Sequence, residues 1–201
     1  MTQTQPTSPM RALRTVAPAL LALGSSAALA HAGVDAGEHH GFLSGLLHPM
    51  SGLDHLGAML AVGLWSATTT ARPGVAPLSF ALTLLAGALL AQSGLSWAGV
   101  EPMIVASLLV VGLLLAAQTR LPLAVGGALV GAFALFHGMA HGQELNGGPA
   151  LLGMVVGTAL LHGVGLAAGL VLRQRHRWVS RAAGVAVAAS GVVLGWPLLM
   201  A

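Results

Sequence analysis

The chain has 201 residues, of which 56% are hydrophobic and only 6% are charged. This balance excludes an ordinary soluble domain, in which about a quarter of the residues are charged. The absence of cysteine excludes disulfide bonds, thiolate metal sites and cysteine nucleophiles. The basic residues are all arginines near the ends of apolar segments, where they set membrane topology rather than bind nucleic acid.

The N-terminal segment is typical of a secretory signal peptide. The polar stretch "MTQTQPTSPMRALRTVAP" contains Arg11 and Arg14 and is followed by the short apolar run "ALLALGSSAALA". Small residues at Ala28 and Ala30 predict cleavage after Ala30, so residues 1–30 are predicted to be removed. The alternative is an uncleaved first span, but the run is shorter than the roughly 20 apolar residues that a span needs.

Residues 31–41 form a polar segment rich in histidine and acids, which we expect in the periplasm. It contains His31, His39 and His40 together with Asp35 and Glu38. Two interpretations are left open: the segment captures metal loosely, or it is a flexible polar tail.

The rest of the chain, residues 42–201, predicts an all-α membrane domain with six transmembrane helices. Short separators with glycine, proline and polar residues divide it, and no soluble domain fits between them. The predicted spans are 42–67, 75–95, 100–118, 122–142, 149–172 and 178–199.

The distribution of arginines predicts the orientation of these spans. Arginines occur only on one side, where the loops follow the first, third and fifth spans, and the opposite loops contain acids instead. By the positive-inside rule the arginine side is cytoplasmic. We therefore expect a multi-pass protein of a bacterial inner membrane with both mature termini in the periplasm.

Ionisable side chains occur inside three of the predicted spans, where the lipid makes them costly. A charged residue at the bilayer centre costs about 2.5–3.5 kcal/mol on insertion scales, so such residues indicate a functional site. The candidate metal ligands are His48, Asp54 and His55 in the first span, His137, His141 and Glu144 at the fourth, and His162 in the fifth.

Helical spacing predicts that these groups form a column. His48 and His55 are seven residues apart and therefore lie on one stripe of a helix. At 1.5 Å per residue, His48 and His137 lie about 9 Å below the outer ends of their spans, and His55 and His162 about 20 Å below. His141 and Glu144 lie at the mouth. The column leads inward from the outside provided that the three helices are neighbours.

Imidazole and carboxylate without thiolate suit divalent nickel, cobalt, zinc or copper(II). Two functions remain open on the residues alone. One is a permease that passes a divalent ion along the column; no nucleotide-binding loop occurs, so no ATPase is evident. The other is an intramembrane zinc hydrolase that uses the same histidines, although the chain has no HExxH motif.

Three motifs resemble those of the HupE/UreJ family of nickel and cobalt permeases. The first, "HPMSGLDHLGAMLAVGLW" from His48, is similar to the long signature of the family's first span. "FHGMAHGQE", from Phe136, resembles its second histidine motif, and "GTALLHGVG", from Gly157, its third. "VEPMIVASLLVVGLL", from Val100, is similar to its glutamate-bearing span.

The resemblance implies uptake of nickel or cobalt for hydrogenase, urease or cobalamin enzymes. It implies His48, Asp54 and His55 as the transport motif, with the other four candidates as supporting ligands. It further implies a protein that is not an enzyme and has no permanent cofactor, because the metal ion is its cargo. The expected partners are that ion and the lipid bilayer, without nucleic acid, and a homo-oligomer is left open.

Overall fold

The computed structural model describes residues 41–200, without the side chains of Gln174 and Arg175. The predicted signal peptide and residues 31–40 of the outer segment lie outside this range. All regular structure in the described range is helical, which confirms the all-α prediction. The helices are α1 (Phe42–Ser51), α2 (Leu53–Thr69), α3 (Val75–Gln92), α4 (Val100–Ala117), α5 (Leu123–Glu144), α6 (Gly148–Arg175) and α7 (Arg177–Met200).

Five of these helices, α3 to α7, are long and apolar enough to cross a membrane. They bear out the expectation of a multi-pass membrane protein. Their bounds lie within a few residues of the predicted spans, because glycine, proline and polar residues separate the apolar segments as the sequence suggests.

The first predicted span is not one helix, and the prediction of a continuous helix over 42–67 is wrong. Gly52 has an extended backbone, with φ −98° and ψ 125°, and separates α1 from α2. Pro49 lies inside α1 without ending it. His48 and His55 therefore lie on two different helices and not on one stripe.

Glycines bring α2 and α6 into close contact along their length. A Cβ on Gly63 of α2 would overlap the carbonyl oxygen of His162, and one on Gly165 of α6 would overlap that of Leu60. Small residues of this kind let membrane helices approach backbone to backbone. The same helix, α6, also packs against α1, while α3 packs against α5 and α4 against α7.

One buried hydrophobic cluster extends from Leu145, next to Glu144, to Trp65, near the arginines. Trp65 of α2 is fully buried, and its indole N–H donates to the carbonyl of Thr119 at 2.9 Å. This bond ties the end of α2 to the loop between α4 and α5. Arg120, Arg173 and Arg177 line a cavity of about 730 Å³ beside residues 67–71, so arginines from the α4–α5 loop, the end of α6 and the start of α7 lie at one end of the bundle.

Candidate metal pathway

The break at Gly52 places the carboxylate of Asp54 against His55. Asp54 lies in the first turn of α2, where its Oδ1 accepts the backbone N–H of His55 at 2.8 Å and the ring Nδ1–H of His55 at 2.9 Å. A Cβ at residue 52 would lie 2.6 Å from the same oxygen. Glycine therefore leaves the space in which the carboxylate orients the imidazole.

A first group of candidate ligands lies at the end of α5, and we call it the outer group: His48, His141 and Glu144. His48 Nε2–H donates to Glu144 Oε2 at 2.7 Å, and His141 Nδ1 lies 3.9 Å from the same oxygen. One ligand atom from each of the three lies within 4.8 Å of the others. The Glu144 side chain is 57% exposed and that of His141 is 2% exposed, so the group leads from the surface into the protein.

A second group lies behind the first, and we call it the inner group: Asp54, His55 and His137. The His55 ring lies 4.3 Å from that of His141 and 4.8 Å from that of His137, between centroids. Because the His141 ring also lies 4.8 Å from the His48 ring, four imidazoles follow one another in contact.

Buried nitrogens without partners mark this series of rings. His55 Nε2, His137 Nδ1 and both ring nitrogens of His141 have no hydrogen-bond partner among the described residues. Most buried polar atoms in proteins are paired, so several unpaired ring nitrogens close together indicate a site that can take a ligand. These nitrogens are the atoms through which imidazole binds metal.

His162 lies apart from the two groups and contacts them through a phenylalanine. Its Nδ1–H donates to the carbonyl of Thr158 at 2.8 Å, and its buried Nε2 has no partner among the described residues. The ring of Phe80, on α3, lies 4.8 Å from the His162 ring and 5.5 Å from the His137 ring.

The prediction of which histidines lie at the same depth is wrong. The sequence pairs His48 with His137 and His55 with His162, whereas the structure groups His48 with His141 and His55 with His137. The depth prediction is wrong because it counts the positions of His48 and His55 along one straight helix. The break at Gly52 removes that common axis.

The three spans that carry the candidate ligands do not all pack closely against one another. α1 and α2 pack against α6, but the closest neighbours of α5 are α3 and α4. α5 reaches α1 and α2 through its histidine side chains, so imidazoles occupy the space between these helices.

Two further residues contact the histidines and were missed in the sequence. Ser107 of α4 lies 2.8 Å from His137 Nε2 and is buried. Its sequence signal is a lone hydroxyl within an otherwise apolar run, "IVASLLVV". Phe80 has no such signal, because a phenylalanine in a membrane helix is unremarkable without its contacts.

Comparison with known proteins agrees with the motifs that form this pathway. The family model described as HupE / UreJ protein matches residues 19–194. The chain belongs to the HupE/UreJ family. The match includes all seven candidate ligands and confirms the resemblance seen in the sequence.

A relative supports the same assignment. The chain is 39% identical over 176 residues to Protein HupE of Rhizobium leguminosarum bv. viciae, and the match covers 84% of this chain and 90% of the relative. No solved structure matches the chain.

Proposed function

We propose that the protein is a permease that takes up nickel or cobalt ions through the intramembrane pathway of histidines and carboxylates. The observation that supports this most is the unbroken contact of four imidazole rings, His48, His141, His55 and His137. The series starts beside an exposed carboxylate and continues among buried nitrogens that have no hydrogen-bond partner among the described residues.

The ligand chemistry favours a borderline divalent ion as cargo. Imidazole nitrogen with carboxylate oxygen, and no thiolate, suits nickel and cobalt as well as zinc and copper(II). The choice of nickel or cobalt rests on what the family resemblance implies. Asp54 and Glu144 offset part of the charge of the cation, which lowers the cost of bringing it into the membrane.

The proposed route begins at the outer group. Glu144 and His48 take the hydrated ion at the surface, and His141, the buried member of the outer group, passes it to the inner group. Asp54 orients His55 so that Nε2 points away from the carboxylate and can accept the ion. His137 is the next ligand, and the ion then passes Phe80 to His162 and leaves at the arginine end.

The topology follows from the arginines. The arginine end is cytoplasmic by the positive-inside rule, and the outer group then opens to the periplasm of the inner membrane. α1 and α2 together provide one crossing in this arrangement, with a non-helical residue at membrane depth. Such a break is tolerated where it lines a polar cavity and not where it meets lipid.

Uptake of radioactive nickel into proteoliposomes tests the proposal. We expect wild type to accumulate nickel above protein-free vesicles, with cobalt competing, and we expect His55→Ala and His162→Ala to lose most of this uptake. His176→Ala is the matched control, because His176 is an exposed histidine at the junction of α6 and α7 and belongs to neither the outer nor the inner group.

Two outcomes would overturn the proposal. One is no metal accumulation by correctly folded wild type. The other is hydrolysis of lipid or peptide by the same vesicles with added zinc, which would favour the hydrolase over a permease.

A further inference from the structure

Ser107 forms a buried hydrogen bond with His137 of the inner group. Its Oγ lies 2.6 Å from the carbonyl oxygen of Ile104 and 2.8 Å from Nε2 of His137. Both Ser107 and His137 are buried, with 1% and 0% of their surface exposed. The first contact lies within α4, and the second joins α4 to α5 at the inner group.

The hydrogen count decides which atom donates. Two oxygens 2.6 Å apart need a hydrogen between them, and a carbonyl oxygen cannot supply it. The hydroxyl hydrogen of Ser107 therefore points to Ile104. A serine has one such hydrogen, so Oγ can only accept from the imidazole, and Nε2 of His137 must carry the proton.

The protonation of Nε2 leaves the lone pair of the neutral ring on Nδ1. Nδ1 of His137 is buried and has no partner among the described residues. The ring stands nearly perpendicular to that of His55, at 88°, with centroids 4.8 Å apart. The carboxylate of Asp54 accepts from Nδ1–H of His55 in the same manner and leaves Nε2 of His55 as its lone-pair atom.

We propose that Ser107 is a positioning residue that fixes His137 as the Nε2–H tautomer, so that Nδ1 of His137 and Nε2 of His55 are the metal-binding atoms of the inner group. The proposal rests on the proposed uptake of divalent metal. Metal-ligating histidines generally donate their other ring N–H to an oxygen, which fixes the tautomer and the ring orientation. Here α4 supplies that oxygen for a ligand on α5.

Replacement of the hydroxyl has a defined consequence. In Ser107→Ala the N–H of Nε2 loses its buried acceptor, so neither tautomer is fixed and the ring also populates the one in which Nδ1 carries the hydrogen and cannot bind metal. Loss of such a partner typically weakens metal affinity about 10- to 100-fold. Ser107→Thr keeps a hydroxyl at the same carbon and should restore both the tautomer and the affinity.

Nitrogen-15 NMR of labelled histidines in purified protein tests the tautomer directly, without transport. We expect wild type and Ser107→Thr to show His137 protonated at Nε2, and zinc ions, used alone as a diamagnetic probe, to shift the Nδ1 resonance. In Ser107→Ala we expect the proton to be shared between Nε2 and Nδ1 of His137. Ser190→Ala is the matched control, because Ser190 Oγ bonds the carbonyl three residues before it, at 2.7 Å, as Ser107 does.

Nickel uptake by the same variants supplies the second readout. We expect Ser107→Ala to raise the half-saturating nickel concentration about 10- to 100-fold, while Ser107→Thr and Ser190→Ala resemble wild type.

A wild-type His137 protonated at Nδ1, or an unchanged tautomer and half-saturation in Ser107→Ala, would overturn the proposal. If wild type shows the Nε2–H tautomer and binds zinc through Nδ1 yet transports no metal, the role of Ser107 stands and the permease function fails. Should Ser107→Ala not fold, the wild-type and Ser107→Thr spectra still decide the tautomer.

Discussion

At the scale of single residues, the proposed pathway depends on oxygens that fix imidazoles. Asp54 accepts from His55, Ser107 lies against His137, and the carbonyl of Thr158 accepts from His162. Each contact uses one ring nitrogen and leaves the other for a ligand. The imidazoles are thus oriented before an ion arrives, which lowers the cost of binding.

Gly52 is predicted to be essential for this orientation. In Gly52→Ala the new Cβ would lie 2.6 Å from Asp54 Oδ1 and would push the carboxylate away from His55. We expect nickel uptake to fall roughly 10-fold or more, because loss of a ligand's orienting partner has effects of that size. Gly74→Ala, whose Cβ meets nothing within 4 Å, is the control. Equal uptake by the two variants would show that the space at Gly52 does not matter.

Glu144 is predicted to act through its charge at the entrance. In Glu144→Gln the side chain can still accept from His48 but no longer attracts a cation, so the half-saturating nickel concentration should rise several-fold while the maximal rate changes little. Glu101→Gln is the control, since Glu101 is an exposed acid in the first turn of α4, outside both groups. A matching rise in Glu101→Gln would mean that general surface charge is responsible.

At the scale of helices, close packing of α2 on α6 is predicted to require glycine at residue 63. In Gly63→Ala the added Cβ would overlap the carbonyl of His162 and force the helices apart. Overpacking of this kind typically costs about 1–3 kcal/mol. We expect a lower unfolding temperature in detergent and reduced uptake.

The chain offers a matched control for this change. Gly163 follows His162 in α6 and lies on the exposed side of that helix, where a Cβ would meet nothing within 4 Å. Gly163→Ala should therefore leave the unfolding temperature unchanged or slightly higher. If Gly63→Ala were as stable as Gly163→Ala, the helices would have room that the structure does not show.

The helices also show where sequence reasoning succeeds and where it fails. Hydropathy and the residues between apolar segments predict α3 to α7 well, because membrane helices need long apolar runs. The break at Gly52 escapes the same reasoning, since apolar residues continue on both sides of it. The motifs contain the candidate ligands, but the contacts of Ser107 and Phe80 depend on helix packing, which no spacing within one segment encodes.

At the scale of the whole molecule, the histidine groups and the arginines occupy opposite ends of the bundle. α5 begins beside the arginine end and finishes at Glu144, and α6 runs back in the opposite direction to Arg173. On the proposed route, an ion that enters at Glu144 would therefore approach the arginines as it advances.

This arrangement predicts the orientation in the membrane, and the chain's lack of cysteine makes it testable. We expect a cysteine at Ser96 to react with an impermeant maleimide in intact spheroplasts, and one at Ala71 to react only after permeabilisation. Both residues are exposed in loops at opposite ends of α3. The reverse labelling pattern would place the outer group in the cytoplasm and contradict uptake.

The central claim is that the outer and inner groups bind the transported ion. Anomalous diffraction from crystals soaked in cobalt tests it most directly. We expect an anomalous peak within coordination distance of His141, together with ligands from the outer or the inner group. Cobalt bound only away from these histidines, or no bound cobalt at a saturating concentration, would contradict the claim.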